Sequence, residues 1–216
     1  MKMLRYGSGL VGMMVCCGIF LLLCLPMNIW FTALGITGSP GDVLLMLVVM
    51  FPVQVIYSLS ISNLVQSSPA KKRMQTSVPA TVSCFNMIIL YLVNSLCKCI
   101  AMTGHPEIIG TVCVEMVTLA GFGVLIMLYI AVGYKYFLAS IIAGITVYLF
   151  TIARLVVINK IPSGIFGSSI GSFVLALVIG LVIIVLGGFG QYGVSLLVYK
   201  APMSKYAQTA AVRKEM

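Results

Sequence analysis

The chain has 216 residues, 61% of them hydrophobic and only 8% charged, with a mean hydropathy of +1.16. An average soluble domain carries about 25% charged residues, and the 13 basic and 4 acidic side chains here are too few to cover a water-facing surface. An ordinary soluble domain is excluded, and the net charge of +9 sits in short segments between apolar runs, which marks membrane topology and not a nucleic-acid partner.

A helix needs about 20 apolar residues to cross the hydrocarbon core of a bilayer. The first run that meets this length covers residues 9–31. It follows Lys2 and Arg5, as a signal peptide would, but it is too long for a signal core and no small-residue cleavage motif follows it, so a retained span is expected. The cluster Ser39-Pro40-Gly41-Asp42 reads as a turn, followed by a second span over 43–66 in which Pro52 is expected to kink the helix. Ser67-Ser68-Pro69 then opens a basic loop. A third span is expected over 80–102, a turn at Gly104-His105-Pro106-Glu107, a fourth span over 110–132 and a fifth over 137–158. A Gly/Ser-rich connector begins at Ile161-Pro162-Ser163-Gly164, and the last span runs over 171–198.

The expected fold is therefore all-α: a polytopic membrane bundle of six transmembrane helices over residues 1–199, with a basic cytoplasmic tail over 200–216. Lys and Arg provide an independent test, because cytoplasmic segments carry an excess of them. With the N-terminus inside, ten of the 13 basic residues fall on the cytoplasmic side; Lys98, Arg154 and Lys160 fall on the other. Three of the four acids, Asp42, Glu107 and Glu115, lie on the outer side. The expected topology is N-in and C-in.

The loop between the second and third spans is the most informative segment. Pro69 suits the first turn of a short helix capped by Ser68, which would set Lys71, Lys72 and Arg73 against an anionic inner leaflet. A plain topogenic loop would carry the same charge. The order of elements resembles the membrane subunits of type-2 ABC exporters, whose six spans carry a short coupling loop after the second, often with a small-Pro-x-x-basic pattern. The resemblance implies that Ser67, Ser68, Pro69, Lys71, Lys72, Arg73 and Gln75 form the coupling helix that docks on a separate ATPase. It also implies pairing with a second copy or a sister permease, and a bacterial plasma membrane as location. The segment 162–171 loosely matches the family's re-entrant connector; the family's amphipathic helix before the first span has little room in residues 1–8.

Lys98, Glu115 and Arg154 each lie about five residues, roughly 7 Å of helix rise, from the outer end of their spans. Two readings fit them: a structural charge pair that snorkels to the interface, or the outer lining of a translocation path. Gln54, Asn86, Asn94 and Gln191 are expected to hydrogen-bond between helices. Gly180, Gly187, Gly188 and Gly190 in the last span are read as helix-packing positions. The seven cysteines lie in apolar runs and read as small buried hydrophobes; a disulfide from Cys97 or Cys99 to Cys113 has no support in the sequence.

No catalytic residues are expected. His105 is the sole histidine and Asp42 the sole aspartate, which removes His-based metal sites, a Ser-His-Asp triad and an aspartyl pair. No Gly-Lys-Ser or Gly-Lys-Thr occurs, so ATP hydrolysis would belong to a partner. No metal or cofactor is expected. Besides the exporter permease, the sequence leaves open a substrate-binding membrane subunit of a vitamin-type importer and a non-transporting accessory membrane protein.

Overall fold

The computed structural model describes residues 2–34, 39–60, 67, 69–102, 108–133, 166 and 169–200. Seven helices account for them: α1 (Lys2–Ala33), α2 (Pro40–Leu47), α3 (Met50–Ser60), α4 (Lys71–Gln75), α5 (Ser77–Ala101), α6 (Ile109–Gly133) and α7 (Ile170–Lys200). No strand occurs among the described residues. Three stretches are long and apolar enough to cross a membrane: Lys71–Ile100, Ile109–Gly133 and Ile170–Lys200. Shorter apolar stretches run over Leu21–Phe31 in α1 and Gly41–Tyr57 across α2 and α3. The expected span over 137–158, the turn over 104–107, most of the connector over 161–169 and the tail over 201–216 lie outside the described residues.

Where the sequence gives one second span, the chain forms two helices. The ladder breaks at Val48 and Val49, whose N–H groups donate to Leu45 and Met46 in three-residue steps, as Phe51 does to Val48. Pro52 accounts for the place. It has no N–H to give the Val48 carbonyl four residues back, and its ring crowds that carbonyl.

Contacts between helices set their directions. Asn28 meets Asn94, so the C-terminal parts of α1 and α5 share one end. Ser83 pairs with Gln191 and a Cβ at Gly188 would touch Cys84, so α5 and α7 run antiparallel. Glycines 187 and 190 lie beside Val124 and Leu128 of α6, so α6 and α7 run parallel. Tyr57 donates to the Ile130 carbonyl at 3.2 Å, placing the end of α3 beside the end of α6. The start of α1, the ends of α3, α6 and α7, and the whole of α4 therefore gather at one end of the bundle. This end, the basic end of the bundle, carries Lys71, Lys72, Arg73 and Lys200.

Helix α6 is the centre of the bundle. It is apolar around its whole circumference, and residues on every side of it are buried, from Val112 and Met116 to Phe122, Ile126 and Met127. Helix α7 is just as apolar but turns Leu175, Val182, Leu186, Phe189 and Leu197 outward, fully half exposed or more. Similar outward rows occur on α5, with Phe85, Leu96 and Ile100. Such continuous apolar surfaces are not tolerated in water. In a bilayer they are the faces that meet lipid, which identifies the chain as an integral membrane helical protein.

Candidate functional site

Two groups of polar side chains stand out, at opposite ends of the bundle. The first is sealed inside it. Lys98, near the end of α5, donates from Nζ to Glu115 Oε2 of α6 at 2.7 Å and stands 3.0 Å from Asp42 Oδ2 of α2. All three side chains are shut off from solvent. One cation thus holds carboxylates from two other helices; removing Lys98 leaves two buried carboxylates with no counter-charge, a loss of about 3–5 kcal/mol, whereas removing one acid leaves a one-to-one pair. One turn before Lys98, Asn94 accepts from Asn28 Nδ2 at 3.1 Å, which ties α1 to the same face of α5.

The local sequence explains how Asp42 arrives there. Ser39 is the N-cap of α2: its Oγ accepts from the Gly41 N–H at 3.2 Å, and Pro40 occupies the first turn. Asp42 then lies in that first turn, where the helix dipole favours a carboxylate. Gly41 is required for the approach of α1, since a Cβ there would stand 2.6 Å from Asn28 Oδ1 and 3.2 Å from the Cys24 carbonyl.

Of the three charges expected to meet at one depth, the structure brings Lys98 and Glu115 together, and Arg154 lies outside the described residues. Asp42 is the partner that sequence reading missed. Ser-Pro-x-Asp suits a turn, but a cap residue, a proline and an acid in succession also mark a helix start, which places Asp42 in the first turn of a helix.

The second group surrounds α4. Pro69 and Ala70 form a turn, and the helix begins at Lys71, two residues later than a Ser68 cap would place it; Ala70 stands at the N-cap without a side-chain bond. Ser67 and Pro69 are exposed and Ser68 lies outside the described residues. Thr76, at φ −123° and ψ −75°, interrupts the path into α5. Its Oγ1 donates to the Lys72 carbonyl at 2.7 Å, and Ser77 Oγ donates to the Arg73 carbonyl at 3.3 Å, so two hydroxyls close the end of α4. The short helix packs on α3, α5 and α7. Gln75 and Thr76 are buried beneath it, while Lys72 and Arg73 project outward. What this arrangement presents is an exposed basic knob, joined to a spanning helix through two hydroxyl bonds.

The glycines of α7 divide by neighbour. A Cβ at Gly180 would overlap the Tyr91 hydroxyl, whose oxygen reaches the Ala176 carbonyl at 3.4 Å. Gly187 faces α6, with a Cβ 2.5 Å from Val124 Cγ2; Gly188 faces α5, with a Cβ 2.8 Å from Cys84 Sγ. Adjacent residues point about 100° apart on a helix, so α7 approaches two helices closely at one level without distortion. Gly190 is exposed, with Leu128 Cδ2 4.0 Å away as its nearest neighbour, and Gly193 has open space.

The other expected polar bridges separate in the same way. Asn94 and Gln191 bond across helices, to Asn28 and Ser83, whereas Asn86 donates back to the Val82 carbonyl of its own helix at 2.8 Å and Gln54 is exposed. Cys24, Cys84, Cys97, Cys99 and Cys113 are free thiols. Among the described residues no group of three or more His, Cys, Asp or Glu side chains is placed to hold a metal ion. Comparison with protein-family models, with curated proteins and with solved structures finds no match for this chain.

Proposed function

We propose that the chain is the membrane permease subunit of an ABC-type exporter, with six spans, both termini in the cytoplasm of a bacterial cell and a separate ATPase docked on α4. The observation that carries this reading is α4 itself: a short helix between two spanning elements, set off from α5 by the break at Thr76 and presenting Lys72 and Arg73 outward. A loop that served only to place positive charge would need no such helix, nor the two hydroxyl bonds that fix its end to α5. Movement imposed on α4 is passed to α5 directly and, through their packing, to α3 and α7.

The chain's path supports six spans. Helix α6 ends at the basic end and α7 begins at the opposite end, and the sequence between them holds an apolar run over 137–158 of the length that crosses a bilayer. Three of the basic residues at the α4 end form one cluster and Lys200 joins them, which favours that end as cytoplasmic. In this reading the chain supplies the path, ATP hydrolysis belongs to the partner, and the functional unit pairs two permeases. Affinity purification in mild detergent tests it. An ATPase recovered with the wild type and lost from a Lys71→Ala, Lys72→Ala, Arg73→Ala variant is the expected result; recovery of no ATPase with the wild type overturns it.

A further inference from the structure

A groove of about 450 Å³ runs between α5 and α7 on the outside of the bundle, toward the basic end. We propose that it holds one acyl chain of an anionic phospholipid whose headgroup is bound by the cations of α4. Small side chains make its floor: Ala80 and Gly188 are buried, with Cys84 beside them. Phe85 and Phe189, 63% and 70% exposed, stand up as its rims together with Tyr192. Aromatic side chains standing over a floor of small ones leave an apolar slot between the two helices.

Length and charge point to the same occupant. The groove extends from Ser77 to Ile88 along α5, about 16 Å at the rise of an α-helix, which matches the thickness of roughly one leaflet of the hydrocarbon core. Its Ser77 end joins α4: the Ser77 hydroxyl donates to the Arg73 carbonyl at 3.3 Å, and α4 carries the exposed Lys72 and Arg73. Lys200, also exposed, lies in the last turn of α7, two turns beyond Tyr192. An apolar slot one leaflet long whose end adjoins a helix bearing exposed cations is complementary to a lipid with a negative headgroup. A neutral lipid would fill the slot without engaging the charges. This inference does not rest on an ATPase partner.

The test uses the full chain in nanodiscs containing either phosphatidylglycerol or phosphatidylcholine, each with a photoactivatable acyl chain, and maps the labelled residues by mass spectrometry. Phosphatidylglycerol is expected to label the groove residues Phe85, Ile88, Val185 and Phe189 at least fivefold more than phosphatidylcholine does, about the factor that one or more cations near an anionic headgroup confer. Thr81→Trp, a change at an exposed groove residue, is expected to remove that label, and Lys72→Gln with Arg73→Gln to make the two lipids equal. Three wild-type results overturn the proposal without recourse to variants: equal labelling by the two lipids, labelling no denser in the groove than at Leu22, Leu96 or Ile100, or an unlabelled groove, as a second copy seated there would produce.

Discussion

At one end of the bundle Lys98, Asp42 and Glu115 are sealed from solvent and joined across three helices, whereas at the other Lys72 and Arg73 stand exposed on a helix of five residues. The same types of side chain serve opposite ends. Buried charges have given up hydration and hold their positions only while an opposite charge is present. Exposed charges remain hydrated, contribute little to folding, and are free to meet another molecule. The buried set is therefore the part of the molecule that fixes α2, α5 and α6 relative to one another, and the exposed set is the part available to a partner or a headgroup.

The largest effect should come from Lys98→Met, which leaves Asp42 and Glu115 facing each other without their shared cation. The expected loss is about 3–5 kcal/mol, seen as a collapse of the monodisperse peak in detergent chromatography and a large drop in Tm. Converting all three at once, with Asp42→Asn and Glu115→Gln added, should restore much of the loss because no uncompensated charge remains. A single variant as stable as the wild type would show that the buried charges do not hold the bundle together.

How much of this contrast was legible beforehand depends on the residue. Apolar run length gave the three long membrane helices, since helix rise and bilayer thickness leave little freedom. Lys98 and Glu115 could be placed at one depth by counting from the span ends. Asp42 could not be found that way, because a residue assigned to a turn has no depth to count. Its burial follows from the cap at Ser39 and the break at Val48, which convert one expected span into a short helix that enters the bundle and a second helix that continues it. The glycines show a similar limit: composition marks α7 as closely packed, but only the neighbours Tyr91, Val124 and Cys84 separate Gly180, Gly187 and Gly188 from Gly190.

That separation supplies the next prediction. Gly180→Leu and Gly187→Leu insert side chains against Tyr91 and Val124 in the middle of the bundle, and overpacking of this kind costs about 1–3 kcal/mol. Gly190→Leu, on the exposed side, should leave Tm within experimental error. Equal effects at positions 180 and 190 would contradict the register of α7 against α5. A smaller loss is expected from Thr76→Val, which removes the hydroxyl bond to the Lys72 carbonyl. A single hydrogen bond of this kind is worth about 0.5–1.5 kcal/mol. If α4 is a transmitting element, transport should fall further than Tm does, since the loosened joint is where motion would pass.

The smallest effect on stability belongs to Lys72→Gln with Arg73→Gln. Both side chains point away from the bundle, and substitutions on such surfaces ordinarily change stability by less than about 0.5 kcal/mol. The thermal profile and chromatographic behaviour of the double variant should therefore match those of the wild type, while ATPase recovery falls. This dissociation is what distinguishes the two ends. Were α4 only a topogenic segment, neutralising two of its cations would leave ATPase recovery unchanged or reverse the orientation of some chains, which protease accessibility of the termini would report. Loss of ATPase binding with stability and orientation intact is the outcome expected of a docking role for Lys72 and Arg73 and not of a topogenic one.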